Sequence, residues 1–416
     1  MSDSDLKSTT ATLETTPEEI EKSSASERRR MTLNMGPQHP STHGVLRVLL
    51  ELDGETVMRA YPDIGFLHTG IEKQCEALTW QQVVPLTDRV DYLNNMGNNL
   101  VYALAVEKLL NVTEEMPEAV KMMRVLLAEL QRINSHCVWL GTHALDIGAM
   151  TVFFYCFRER EDILRLFEMI SGQRMMTSYI RPGGLALEPP RGWFKSARKF
   201  IDAFSDKVDE YENLLAKNPI WLQRTQGVGH VSLDELLDWG VTGPMIRAAG
   251  VPWDIRKDEP YSGYEKYNFD VATRTENDVW ARYRVRMQEM RESAKIVKQA
   301  LDGIPDGPWQ LDIPRVTLPG REKMKTQMEA LIHHFKIVTE GMRVPAGEAY
   351  QAVESPRGEI AYYVVSDGSS HPHRVFMRTP SFGNLQVLPP MVEGKLIADT
   401  IAAMGSMDFV LGDVDR

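Results

Sequence analysis

Between residues 277 and 301 the apolar side chains Val279, Tyr283, Met287, Met290, Ala294, Val297 and Leu301 recur in steps of three and four, the spacing of one face of an α-helix. A helix of roughly 25 residues is about 37 Å long and cannot hide such a stripe by itself. The same spacing runs through residues 92–108 (Leu93, Met96, Leu100, Leu104) and 117–145 (Met123, Leu126, Leu130, Ile133, Cys137). It returns over residues 151–173 and over 193–215, where Phe200, Phe204, Val208, Tyr211 and Leu215 face inward. Five long amphipathic helices bury their stripes together only as a bundle. Gly/Pro-rich stretches at 181–184, 227–229 and 303–319 supply the loops, and no internal repeat is present.

Ahead of the bundle, residues 45–52 read as an apolar strand, Asp53-Gly54 as a hairpin turn and 55–60 as the return strand. Strand character comes back at 361–366 and 374–378. The expected fold class is α+β, a long helical bundle with small N-terminal and C-terminal β elements. Its expected divisions are a leader at 1–30, an N-terminal β region at 31–75, the bundle at 76–345 and a C-terminal α/β region at 346–416. The leader is rich in Ser, Thr and Glu and has no apolar h-region, so it reads as disordered and not as a signal peptide.

Composition removes several function classes. With 416 residues and 43% apolar content the core can be large, and a formal charge of −11 offers neither a nucleic-acid footprint nor general attraction to anionic lipid. The basic clusters at Arg28-Arg29-Arg30 and from Arg282 to Arg291 read as a solvated tail and a solvated or partner-facing helix edge. Cys75, Cys137 and Cys156 lie far apart with no Cys-x-x-Cys pair, so no disulfide framework, zinc site or iron–sulfur site is legible in them. The longest apolar run, 147–157, is too short to span a bilayer and is flanked by Asp146 and Arg158. Any work at a membrane is expected from its side. No dinucleotide or flavin fingerprint is present, because Gly227-Val228-Gly229 lacks the strand–turn–helix spacing of a Rossmann turn.

Three polar clusters interrupt apolar sequence. Gly36-Pro37-Gln38-His39-Pro40-Ser41-Thr42-His43-Gly44 places two imidazoles on a loop stiffened by prolines, with His43 expected at the mouth of the hairpin. Leu67-His68-Thr69-Gly70-Ile71-Glu72-Lys73 and Asp88-Arg89-Val90-Asp91-Tyr92 follow. Taken alone, His43 also suits packing or capping, Tyr92 a core position and Asp146 a helix cap. Zinc between His39 and His43 lacks an evident third ligand.

Together with 141–149 (GTHALDIGA), 154–161 (FYCFRERE), 260–265 (PYSGYE), 363–368 (YVVSDG) and 412–416 (GDVDR), these clusters make the chain resemble the 49-kDa (D-type) subunit of respiratory complex I. The resemblance covers about 31–416. It implies the fold of the large subunit of nickel–iron hydrogenases, whose two Cys-x-x-Cys motifs fall here on 89–94 and on the stretch ending at Arg416. Neither stretch offers a thiolate, which soft metals of that kind need. The resemblance therefore implies a former metal cavity open to another ligand.

That ligand is expected to be a quinone head-group, ubiquinone or menaquinone, which takes up two electrons and two protons. In the family the residues matching His43 and Tyr92 bind opposite ends of the ring, and Asp146 matches the carboxylate that partners the histidine. An imidazole (ordinarily ~6.5) and a phenol (~10) both donate hydrogen bonds, and the imidazole can readily carry a proton at neutral pH. His39, Thr42 and Arg89 are expected to shape the pocket. The implied activity is that of the quinone-site component of a proton-translocating NADH:quinone oxidoreductase, inactive as an isolated chain. FMN and the iron–sulfur clusters would lie in other subunits. The implied partners are the B, C and I subunits of the peripheral arm and the membrane-embedded H subunit, through which the chain would meet the cytoplasmic side of a bacterial inner membrane.

Two departures stand out against the family. Many members carry histidine where Met176 stands, thought to make the terminal cluster's potential respond to pH, and mitochondrial members carry arginine at Thr69. Both changes imply a low-potential, pH-independent cluster and suit menaquinone. Two other functions compete. One is the equivalent subunit of a ferredoxin- or F420-linked complex; the other is a metal-free scaffold of a membrane-bound hydrogenase-like complex.

Overall fold

The computed structural model describes residues 30–39 and 44–416. Three antiparallel strands, β1 (Arg30–Met35), β2 (Arg47–Asp53) and β3 (Thr56–Asp63), form a sheet in the order β1-β2-β3. The β2–β3 hairpin is the expected one, turning through Gly54 at φ 62°. β1 was not anticipated, since all but one of its residues escape full burial and no alternation marks it.

Three helices follow: α1 (Ile71–Ala77), α2 (Trp80–Val90) and α3 (Asn95–Leu110). Thr79 and Gln82 close a capping box at the start of α2. The helix expected at 92–108 starts late because Asp91 stops the chain: its carboxylate accepts the Leu93 N–H at 3.0 Å and its carbonyl the Asn94 N–H at 2.9 Å. This Asx turn puts Tyr92 in the α2–α3 connection and not on a helix. From Asn95 to Glu107 every residue of α3 is buried, so the helix lies inside the bundle and shows no single face.

The bundle continues with α4 (Glu118–Asp146), α5 (Met150–Ser171), α6 (Trp193–Leu215) and α7 (Val279–Gly303), close to the periodicities. Asp278 caps α7 by accepting the Ala281 N–H at 2.7 Å. The loop at 181–184 holds a minimal hairpin, β4 (Ile180–Arg181) and β5 (Gly184–Leu185). After α8 (Met328–Glu340) comes a second antiparallel sheet of β6 (Gly347–Ser355), β7 (Gly358–Ser366) and β8 (Arg374–Arg378), then α9 (Pro380–Gln386), α10 (Ile397–Met407) and α11 (Leu411–Asp415).

The basic run on α7 is divided: Arg284 and Arg291 are half-buried at the edge and pair with Glu212, whereas Arg282 and Arg286 point inward. Arg282 and Arg286 are fully buried, because the C-terminal end of α10 needs donors. Arg286 donates to the carbonyls of Ser406 (2.7 Å) and Met407 (3.2 Å), and Arg282 to Ser406 Oγ (3.0 Å) and the Gly229 carbonyl (2.7 Å). Cations at a helix C-terminus satisfy both its orphan carbonyls and its dipole. The three cysteines are buried and free, and burial pushes Cys75 and Cys137 up to about 12.

A second core joins the ends of the chain. Val48, Leu50 and Val57 of the first sheet pack with Met391, Met404, Phe409 and Leu411. Val57 also exchanges backbone hydrogen bonds with Lys395 (2.8 Å) and Gly394 (2.7 Å). The N-terminal hairpin is thereby held against the segment that ends in α11.

Candidate functional site

All three polar clusters meet at residues 411–416. His39 and Gly44 form an antiparallel bridge, so the ends of the first loop lie together, and a Cβ on Gly44 would stand 3.1 Å from Leu411 Cδ1. At the second cluster, the Leu67 N–H and that of Gly65 just before it donate to the two carboxylate oxygens of Asp415 at 2.7 and 2.8 Å. His68 Nδ1 lies 2.6 Å from the Asp415 carbonyl, and Arg416 reaches Glu72 at 3.3 Å. The third cluster touches Gly412, where a Cβ would fall 2.8 Å from the Val90 carbonyl oxygen, 2.9 Å from that of Arg89 and 3.6 Å from the Tyr92 ring. Only glycine lets the backbones approach so closely.

Tyr92 is half-buried at this junction, and its phenol lies above the ordinary range because of burial and then the negative charge of Asp91. Arg89 is exposed, folds back to donate to the Pro85 carbonyl at 2.6 Å and stands 3.7 Å from Asp88. His39 is exposed at the loop end. Thr42 and His43 lie outside the described residues. Asp146 is the half-buried last residue of α4, and the following helix takes Ala149 as its N-cap, so the capping reading of Asp146 is wrong. A carboxylate at a helix C-terminus opposes the dipole, which favours another reason for its place there.

The strap after α5 is tied to the same region. Met176 and Ser178 both have left-handed backbones, φ 55° and 43°. Asp88 holds the strap by accepting the Ser178 N–H at 3.1 Å and hydroxyl at 2.5 Å. Burial pushes Asp88 up to about 6. Side chains that cost strain persist where surrounding structure insists on them.

The residues that organise Tyr92 from behind were not read from the sequence. Arg357, in the β6–β7 turn, donates to Asp91 at 2.8 Å and to Asp408 at 3.3 Å, all three being buried. Asp413 is also buried and accepts the Ser381 N–H at 3.0 Å. One guanidinium thus faces three carboxylates. Burial and the neighbouring Asp91 push Asp413 up to about 7, whereas Arg357 is held above its ordinary value by Asp408 and Asp91 against the cost of burial. Their only local trace is the Asp-rich stretch at 408–415. A separate cavity of about 330 Å³ lies at the other end of α2, lined by Thr79, Gln82, Pro85, Ser178 and Thr317. Among the described residues no three His, Cys, Asp or Glu side chains are grouped to hold a metal.

Residues 146–416 match the family model described as respiratory-chain NADH dehydrogenase, 49 Kd subunit. The chain belongs to that family. It is 68% identical over 393 residues to the D 1 subunit of the NADH-quinone oxidoreductase of Solibacter usitatus, covering 94% of this chain and 96% of that one. The D 2 subunit of the Koribacter versatilis enzyme is 62% identical over 392 residues, 94% and 97% of the two chains. The corresponding D subunit of Geotalea uraniireducens is 54% identical over 386 residues, 93% and 98%. As a 49-kDa subunit the chain is one component of complex I, the NADH-quinone oxidoreductase. No helix among its described residues is long and apolar enough to cross a membrane.

Proposed function

We propose that this subunit binds the quinone head-group between the 36–44 loop and Tyr92, and helps to protonate it as electrons arrive from an iron–sulfur cluster of a neighbouring subunit. The observation that carries this reading is the meeting of both segments on consecutive residues, Gly44 against Leu411 and Tyr92 against Gly412. A ligand beside Leu411 and Gly412 would lie next to the Tyr92 phenol, and His43 precedes Gly44 in sequence.

In this reading Tyr92 donates to one quinone oxygen and His43 to the other. Asp146 holds the imidazole tautomer and raises its proton affinity. His39, Thr42 and Arg89 border the site. The chain meets the B, C, I and H subunits, and sits at the cytoplasmic face of the membrane without entering it. FMN and the clusters belong to other subunits, and menaquinone is the favoured acceptor given Met176 and Thr69.

The test is quinone reduction by the assembled complex carrying Tyr92→Phe, His43→Ala or Asp146→Asn. Loss of one aimed proton donor is expected to slow turnover about 100-fold, while NADH oxidation by ferricyanide, upstream of the quinone, stays at the wild-type rate. Wild-type turnover and KM for Tyr92→Phe would remove the phenol from the site.

A further inference from the structure

Asp413 is a buried ionisable group to which the quinone reading gives no part. It lies in α11 next to Gly412, the residue on which the Tyr92 ring packs. One carboxylate oxygen accepts the Ser381 N–H at 3.0 Å; the other, Oδ1, is buried without a hydrogen-bond partner among the described residues. Arg357 Nε and Asn384 Oδ1 are buried in the same condition. Asn384 Nδ2 donates to the Arg357 carbonyl at 3.2 Å, which places Asn384 beside Arg357. Native interiors leave few such groups unsatisfied, and a catalytic role is one of the recognised reasons for those that remain.

Among the described residues, the charged and titratable groups facing Asp413 come from three places. Asp91 and Tyr92 approach from the α2–α3 turn, Arg357 from the β6–β7 turn, and Tyr362 from β7, while the start of α9 presents Ser381 and Thr379. Asp408 shares Arg357 with Asp91. The guanidinium therefore makes its two ion pairs with the other carboxylates. Among the described residues, Asp413 is the carboxyl group of this set that no cation contacts directly, which makes it the natural holder of a proton.

We propose that the Asp413 carboxyl is the proton reservoir for Tyr92, refilling the phenol after it has protonated the quinone. This deepens the preceding reading and rests on it. Of the two protons that two-electron reduction requires, the Tyr92 O–H bond supplies one to a carbonyl oxygen of the quinone, leaving a phenolate. The Asp413 O–H bond then breaks, directly or over one bridging water, and its proton re-forms the phenol. The carboxylate regains a proton from solvent before the next turnover. Transfer from a carboxyl group near 7 to a phenolate whose phenol is held above its ordinary range is downhill.

The step needs Asp413 protonated, so turnover should fall as pH rises past about 7. In the assembled complex, NADH-driven reduction of a short-tail quinone is measured from pH about 5.5 to 9. Asp413→Asn is expected to lower kcat at least about tenfold and abolish the alkaline limb with little change in KM, and Asp413→Glu to restore the limb. Ser381→Ala keeps the N–H bond but removes the hydroxyl, which also favours the carboxylate, and is expected to move the limb to higher pH. NADH oxidation by ferricyanide reports assembly, and if Asp413→Asn does not assemble, the direction of the Ser381→Ala shift decides. A wild-type kcat and limb in Asp413→Asn, or an unmoved limb in Ser381→Ala, overturns the proposal. If Tyr92→Phe is slow while Asp413→Asn is normal, the reservoir alone fails; if Tyr92→Phe is itself normal, the quinone reading has failed first.

Discussion

Arg357 and Asp91, 266 residues apart in sequence, meet at 2.8 Å in the interior between the bundle and the second sheet. The contact fixes the turn that carries Tyr92, since the same aspartate accepts the Leu93 N–H at 3.0 Å. Two further carboxylates, Asp408 and Asp413, act on the same guanidinium. A buried ion pair adds little over an apolar replacement, yet removing one partner strands the other. Its role here is to set geometry.

Arg357→Met is therefore expected to destabilise the subunit by about 3–5 kcal/mol and to deplete it from the assembled complex. Arg357→Lys should recover part of this, because an ammonium reaches one carboxylate well but cannot fork between two. Combining Arg357→Met with Asp91→Asn should cost less than the sum of the single changes. Thermal unfolding of the four proteins measures the coupling, and strict additivity would deny that the pair acts as a unit.

A second buried network should make the bundle sensitive to acid. His136 on α4 sits 2.9 Å from Glu289 on α7, and Glu289 is also held at 2.8 Å by Arg247. Burial pushes His136 down to about 4, against the opposing pull of Glu289. The folded pKa lies below the ordinary ~6.5, so the unfolded chain takes up the proton first. The stability contributed is complete above about 6.5 and is lost as pH falls through about 4. Hydrogen exchange in α4 and α7 should accelerate over that interval, and His136→Gln should flatten the dependence. An equally steep profile in the variant would assign the acid sensitivity to other groups.

How much of this was legible in advance depended on where each signal was stored. α6 ends where its stripe ends, because Trp193, Ile201, Phe204, Val208, Tyr211 and Leu215 are buried on one clean face. α3 is buried all round, so its periodicity carried no boundary, and the Asp91 turn shifted its start past Tyr92. Arg282 and Arg286 were misread as solvated because a run of arginines ordinarily lies at the surface, whereas their partners are carbonyls at Gly229, Ser406 and Met407, remote in sequence. The three polar clusters were recognisable as interruptions, but their meeting at 411–416 leaves no local trace. Arg357 and Asp413 went unread for the same reason. Their significance lies in partners on other elements.

Under the proposed function, Met176 offers a test of how this subunit tunes the iron–sulfur cluster of its neighbour. Its strap is anchored by Ser178 on Asp88 and by the Thr177 hydroxyl, 3.4 Å from Met96 Sδ. The strap thereby lies against α2 and α3, on either side of the Tyr92 turn. The resemblance to the 49-kDa family implies that many members carry a histidine at this position, next to the terminal iron–sulfur cluster, and a thioether cannot titrate. The midpoint potential of that cluster is expected to be nearly flat around neutral pH. Met176→His should introduce a slope approaching about 59 mV per pH unit, the value for one proton per electron. Thr69→Arg should raise the potential without adding a slope, because a fixed cation stabilises the more negative reduced form. Redox titration followed by electron paramagnetic resonance reads both effects in the assembled enzyme. A one-proton slope already present with methionine in place would show that another group near the cluster titrates with it.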